Sequence, residues 1–483
     1  MNYSMIRYTL GWLLLFEAAF FLVPLITAIC YLESAAFGFL FVMLISCGVG
    51  VLFTYKKPKN TALYARDGFV IVALSWIVLS LFGALPFLFT GATSSFIDAL
   101  FESVSGFTTT GSSIFAAVES LPKSINMWRC FTHWVGGMGV LVFIMAFLPL
   151  GGGHNMHIMR AESPGPSVSK LVPKVKNTAI ILYTIYFVLT LIQFIALLIS
   201  GMSVYDATAT AFATAGTGGF GVHNDSMASA SAAQQIIVTV FMLLFSLNFN
   251  SYYLVLRAKF KDAFNSEIKA FLIIVAVAIA LTTFNIVGSS AAVENIWDAL
   301  RHAAFSVSSL ISTTGFATLD FNLWPELSKT LLVLVMFIGA CAGSTGGGIK
   351  VSRIIILVKG FLRELGMLIS PKQVKKITVD KRPVEGEVVR SVNAYIACYI
   401  LLFVASLLLV SFDSFDLVTN FTAVTATLNN IGPGLGAVGP TSNFSAFSPL
   451  SKLVLIFDML AGRLELFPML LLFSPATWKR KRA

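Results

Sequence analysis

Residues 97–111 read IDALFESVSGFTTTG: an aspartate, a run too apolar for a loop and too short to cross a membrane, then threonines and a glycine. The pattern returns three times. Segments 205–218, 297–315 and 415–432 keep the same order, with aspartate in VYDATAT, IWDALRH and SFDLVTN and a close on Thr or Asn and its neighbours before glycine. The closing glycines Gly111, Gly218, Gly315 and Gly432 lie 107, 97 and 117 residues apart. Units of roughly 100 residues therefore repeat four times. The aspartates Asp98, Asp206, Asp298 and Asp416 suit helix N-caps, because a carboxylate accepts first-turn amides and opposes the positive end of the helix dipole.

What surrounds these segments is membrane. The 483 residues are 57% hydrophobic and 12% charged, with a mean hydropathy of +0.85, far from a soluble composition. About 20 apolar residues cross the hydrocarbon core. Ten windows qualify: 8–32, 36–55, 68–90, 127–150, 178–200, 234–256, 267–288, 328–357, 391–412 and 451–474. The expected fold is an all-α polytopic membrane protein, with ten transmembrane helices, four re-entrant pore helices and fourfold pseudo-symmetric membrane-pore-membrane repeats. Two helices occupy 1–66, and the repeats occupy 67–176, 177–265, 266–385 and 386–483.

The formal charge of +10 acquires meaning from its placement. Of 33 Lys and Arg, 27 fall at Arg7, 56–66, 160–176, 257–269, 350–390 and 479–482. Ten spans put those loops and both termini on one face, which the positive-inside rule makes cytoplasmic. The basic excess is topology, not a nucleic-acid surface. All five cysteines lie in apolar spans without metal-ligand spacing, and the histidines His133, His154, His157, His223 and His302 are scattered. No enzyme constellation or organic cofactor site emerges.

Irregular backbone at membrane depth is tolerated where protein buries it or where it lines a water-filled cavity. The loops TTTGSS, GTGGFG, STTGFA and NNIGPG should therefore line one. Glycine permits the left-handed angles that turn carbonyls toward an axis, and carbonyl rings replace the hydration shell of a cation. None of the four loops contains a carboxylate, which favours a weakly hydrated monovalent ion such as potassium.

These residues resemble the Trk/Ktr/HKT superfamily of potassium transporters, TrkH type, through FESVSGFTTTGSS (101–113), GGFGVHN (218–224), SVSSLISTTGFAT (306–318), CAGSTGGGIK (341–350), ATLNNIGPGLG (426–436) and MLAGRLELF (459–467). The resemblance implies potassium as substrate and one ion path per subunit. It also implies a homodimer in membrane lipid and a TrkA-like cytoplasmic ring of nucleotide-binding regulatory subunits. Potassium ligands carried over by motif are Thr109, Thr110 and Gly111; Gly216, Thr217 and Gly218; Thr313, Thr314 and Gly315; and Asn430, Ile431 and Gly432. Gly111 stands where serine accompanies sodium transport in plant relatives, so potassium is favoured. The second loop, AGTGGFG, departs modestly from the family's usual pattern.

One motif competes for a different function. GACAGSTGGGIK (339–350) nearly matches a phosphate-binding loop, but Ile349 separates Gly348 from Lys350 and Val351 replaces the required hydroxyl. Five glycines inside a 30-residue apolar stretch should instead break a membrane helix. The resemblance implies an intramembrane gate here, formed by Gly343, Gly346, Gly347, Gly348 and Lys350. Arg463 lies at a depth where an unpaired charge costs at least about 2.5 kcal/mol, so a cavity or a partner such as Asp458 or Glu465 is expected. The family pattern places it beside the glycine run as a barrier to cations. The expected function is gated, channel-like potassium uptake across a bacterial cytoplasmic membrane; the alternative is a proton- or sodium-coupled symporter.

Overall fold

Where the chain meets lipid, backbone amides must be satisfied within their own segment, so long apolar runs become helices. A computed structural model describes residues 1–60, 63–139, 175–288, 293–370 and 376–478. Its helices of seven residues or more, in chain order, are α1 (Tyr3–Phe20), α2 (Leu22–Cys30), α3 (Ala35–Thr54), α4 (Ala65–Phe89), α5 (Phe96–Phe107) and α6 (Lys123–Gly137). Then come α7 (Val175–Ile199), α8 (Val204–Gly216), α9 (Ala232–Ser246), α10 (Phe249–Leu256), α11 (Ser266–Ile286) and α12 (Ile296–Ile311). The last six are α13 (Glu326–Ile338), α14 (Val351–Ile369), α15 (Gly386–Val410), α16 (Leu417–Leu428), α17 (Pro449–Arg463) and α18 (Phe467–Phe473). A two-stranded hairpin, β1 (Thr378–Val379) and β2 (Arg382–Pro383), lies between α14 and α15.

Among the described residues six helices are long and apolar enough to cross a membrane, or seven if the bent pair α9 and α10 counts as one. Several expected spans are interrupted rather than straight. The 234–256 span turns by 91° between α9 and α10. The 451–474 span breaks after Arg463, where Glu465 and Leu466 take positive φ. The 328–357 span breaks between α13 and α14, as its glycines require. The far half of the 127–150 span, the basic stretch 160–174, His154 and His157 lie outside the described residues.

The short helices α5, α8, α12 and α16 are the four repeated segments, and their caps correct the reading of the aspartates. Ser95, Ser203 and Asn295 are the N-caps of the first three, each accepting from the amide of Asp98, Asp206 or Asp298. Those aspartates stand three residues inside, near enough to the dipole to serve it. Only Asp416 is itself a cap. The short helices pack between long ones: α5 against α4 and α6, α8 against α6 and α7, α12 against α11, and α16 against α17. Buried apolar clusters fill those seams, with α1 and α3 joining the cluster around α4 and α5.

Candidate functional site: four loops in a ring above a glycine-rich segment

Each short helix ends by the same backbone device. Thr109, Thr217, Thr313 and Asn430 adopt left-handed φ of 56, 55, 59 and 55°. The next amide then reaches five residues back: Thr110 to Ser105, Gly218 to Ala213, Thr314 to Ser309 and Ile431 to Ala426, at 2.8–2.9 Å. This is the Schellman closure of a helix C-terminus. It leaves three threonines in a conformation that β-branched residues rarely adopt, a mark of a constrained site.

One residue further on, Gly111, Gly219, Gly315 and Gly432 take φ of 85, 75, 83 and 102°. A Cβ on Gly111 would overlap the carbonyl oxygen of Gly218, one on Gly219 that of Thr314, and one on Gly315 that of Ile431. A Cβ on Gly432 would lie 2.8 Å from the carbonyl oxygen of Thr110. The contacts run from the first loop to the second, third, fourth and back to the first. Four loops meet edge to edge in a closed ring, and side chains lock its seam. Asn430 Nδ2 donates to Thr110 Oγ1 at 3.0 Å, and Ser112 Oγ donates to the Gly432 carbonyl at 3.0 Å.

The ring revises the register of the second loop. The spacing points to Gly218 as its closing glycine, but backbone conformation puts Gly219 there, with Thr217 and Gly218 before it. Gly216 is the last residue of α8. Residues 109–111, 313–315 and 430–432 share the backbone conformation of 217–219.

Under the third and fourth loops lies segment 339–350. Gly347 N–H donates to Thr313 Oγ1 at 2.6 Å, and Gly348 N–H to the Asn429 carbonyl at 3.1 Å. The amides of Ile349, Lys350 and Val351 return to Phe337, Ile338 and Ala340. Amides that a phosphate loop would aim at its ligand are thus engaged by protein oxygens, and Lys350 Nζ donates to the Gly346 carbonyl. On the other flank, Phe249 N–H donates to the Gly343 carbonyl at 3.0 Å and Cys341 N–H to Ser246 at 3.1 Å. The bend between α9 and α10 therefore grips the segment.

Arg463 joins this segment to α6. Its guanidinium donates to the carbonyl of Thr345 at 2.8 Å and to those of Gly136 and Gly137 at 2.6 Å. The carboxylate partners offered by the sequence are engaged elsewhere: Glu465 pairs with Arg353, and Asp458 accepts from Ser406 Oγ at 2.6 Å. The glycines border a cavity of about 1580 Å³, lined by Gly346, Lys350 and Arg463 and also by Lys261, Lys359 and Arg382 of the basic segments.

A family model described as a cation transport protein, TrkH, matches residues 34–480. The chain belongs to the TrkH family. It is 36% identical over 485 residues to the Trk system potassium uptake protein TrkH of Halomonas elongata, covering 99% of this chain and 100% of that relative. It is 33% identical to the Trk system potassium uptake protein TrkG of Escherichia coli, again over 99% and 100%. The crystal structure of the potassium transporter TrkH from Vibrio parahaemolyticus superposes with a TM-score of 0.89 at 34% identity, covering 99% of this chain and all of that one. A TrkH-family chain is a membrane transporter, not an enzyme.

Other residues of this TrkH-family site carry at most a faint sequence signal of their role. Glu267 Oε1 accepts from Ala342 N–H at 2.7 Å and Ser352 N–H at 3.1 Å, holding both shoulders of the glycine segment. In sequence it is one acid beside a basic loop. Glu102 pairs with Arg129 at 2.6 Å, both side chains buried. Two opposite charges at one depth of neighbouring apolar segments were the available clue. Elsewhere in the short segments, Arg301 pairs with Asp298 at 3.1 Å and His302 Nδ1 meets Thr318 Oγ1 at 2.8 Å. Glu17 is buried without a hydrogen-bond partner among the described residues.

Proposed function

We propose that this chain takes up potassium across the cytoplasmic membrane through a gated, channel-like pore. The reading rests on the cyclic contact of the four loops. The carbonyl oxygens of Thr110, Gly218, Thr314 and Ile431 each lie against the glycine of a neighbouring loop, the packing expected of carbonyls gathered around one ion in front of the negative C-terminal ends of α5, α8, α12 and α16. Carbonyl dipoles substitute for the water of a weakly hydrated cation without a fixed carboxylate. The ligand set is Thr109, Thr110 and Gly111; Thr217, Gly218 and Gly219; Thr313, Thr314 and Gly315; Asn430, Ile431 and Gly432.

Gly343, Gly346, Gly347, Gly348 and Lys350 form the gate, with Arg463 holding it across the path. An unwound segment moves by changing a few backbone angles, which a packed helix does not. The repeats at 67–176, 177–265, 266–385 and 386–483 contribute one filter loop each, with both termini cytoplasmic. The protein works as a homodimer with a TrkA-like ring of nucleotide-binding subunits. The "Trk system" in the relatives' names is consistent with further components.

An isotope flux series with rubidium, potassium, sodium and lithium at imposed voltage, with and without a proton gradient, tests the reading. A channel-like pore gives electrogenic rubidium flux that ignores the proton gradient. Flux that requires a proton or sodium gradient at fixed voltage overturns it in favour of coupled symport.

A further inference from the structure

Behind the ring, α6 carries two buried side chains one helical turn apart, Arg129 and His133, that both reach across the first and second loops. His133 Nδ1 lies 2.7 Å from the Gly106 carbonyl in the last turn of α5, and its Nε2 lies 3.1 Å from the Phe220 amide. A carbonyl only accepts and an amide only donates. The imidazole is therefore neutral, with its proton on Nδ1. Because a trans peptide sets its N–H and C=O in opposite directions, holding the Phe220 N–H toward α6 turns the Gly219 carbonyl away from it. A Cβ on Gly218 would overlap the His133 ring, so the loop lies directly on the imidazole.

Arg129 does the same one turn away. Its Nε donates to Glu102 Oε1 at 2.6 Å, Nη2 to Ser113 Oγ at 3.1 Å and Nη1 to the Gly221 carbonyl at 3.1 Å. Glu102 Oε2 in turn accepts from the Ile114 amide at 2.9 Å. The guanidinium carbon also stands 4.2 Å from the centre of the Phe220 ring. One cation thus ties the outgoing limb of the first loop, Ser113 and Ile114, to the outgoing limb of the second, Phe220 and Gly221.

We infer that Arg129 and His133 are positioning residues that set the ion selectivity of the first two filter loops from outside the ion path. The inference rests on the filter reading above. Neither side chain is a ligand. Each fixes the direction of peptide groups beside the ring, and selectivity follows the number and stiffness of those carbonyls.

The test measures the rubidium-over-sodium uptake ratio in proteoliposomes at an imposed potential, for wild type, His133→Leu, His133→Gln, Arg129→Met and Gly111→Ser. His133→Leu and Arg129→Met should each lower the ratio by roughly three- to tenfold, the worth of one lost hydrogen bond, while rubidium flux persists. His133→Gln, which still donates and accepts, should recover part of it. A ratio unchanged in both while Gly111→Ser lowers it overturns the inference and leaves the filter standing. A ratio unchanged in all of them overturns the filter reading as well. Equal loss of both fluxes marks a merely structural role and also overturns it. Should His133→Leu and Arg129→Met fail to give monodisperse protein, Ser113→Ala, which removes only the hydroxyl held by Arg129, decides by the same ratio.

Discussion

Arg463→Ala should turn the resting protein into a leak. The guanidinium makes three hydrogen bonds to carbonyls, and one of them, to Thr345 at 2.8 Å, holds the glycine segment itself. A hydrogen bond from a charged donor is worth about 1.5–3 kcal/mol. Removing it from the closed state alone shifts the closed-open equilibrium roughly 10- to 150-fold. The charge also repels a passing ion by about 3 kcal/mol at about 6 Å and an effective dielectric near 20. Alanine removes both effects, so basal rubidium-86 uptake into proteoliposomes without partner subunits should rise at least about tenfold. Arg463→Lys separates them: lysine keeps the repulsion and loses the forked grip on Thr345, Gly136 and Gly137. Leak in both variants assigns the effect to the tether, whereas leak in alanine alone assigns it to the charge. Unchanged or lower basal flux in Arg463→Ala, with the protein monodisperse, refutes the barrier.

Three further outcomes follow from the same contacts. Gly219→Ala should damage the filter as severely as Gly111→Ala, because each places a Cβ on a neighbouring loop's carbonyl and a left-handed φ on alanine, the latter costing about 1–2 kcal/mol; wild-type ion ratios in Gly219→Ala would restore the register read from spacing. Glu267→Ala removes acceptors from the Ala342 and Ser352 amides and should raise basal flux, while Glu267→Gln, which keeps a carbonyl oxygen, should stay near wild type; equal fluxes for the two would show that the carboxamide does not hold the segment. Deleting Gly346 to Gly348 should raise basal flux, and flux abolished in an intact, monodisperse protein would assign those glycines to a packing seam.

Much of this architecture is written in local sequence. The repeat can be read from its glycines because a Cβ at each would strike a neighbouring loop or the side chain behind it, and the helix break can be read because five glycines do not sustain a membrane helix. Register is harder. AGTGGFG offers four glycines, and spacing cannot choose among them when repeats differ by ten or twenty residues; the deciding fact is the left-handed φ of Thr217. The caps erred for a similar reason: Ser95, Ser203 and Asn295 cap as well as aspartate does, so composition leaves a three-residue ambiguity. Arg463 lies beside the glycine run, but the identity of its acceptors is hidden for another reason. Asp458 and Glu465 are its sequence neighbours, whereas its acceptors on α6 are 326 and 327 residues away. Partners at that separation exist only once the four repeats have closed.

Closure also makes the ring unequal. The first and second loops are held from α6 by an ion pair and an imidazole, none of which touches the glycine segment. The third and fourth loops lean on that segment, through Thr313 Oγ1 accepting from Gly347 and the Asn429 carbonyl accepting from Gly348. If the segment swings aside to open the path, Thr313 and Asn429 lose those donors while Arg129 and His133 keep theirs. A buried acceptor without its donor costs about 1–3 kcal/mol, so the two halves of the ring cannot respond alike to opening. The half tied to α6 keeps its geometry in either state, and the half resting on the glycines changes its surroundings with the gate. Thr313→Val, which deletes the acceptor beside Gly347 and spares the backbone carbonyls, should therefore raise basal flux with a smaller change in the rubidium-over-sodium ratio than His133→Leu. The reverse order of effects on that ratio would mean that the two halves are mechanically one.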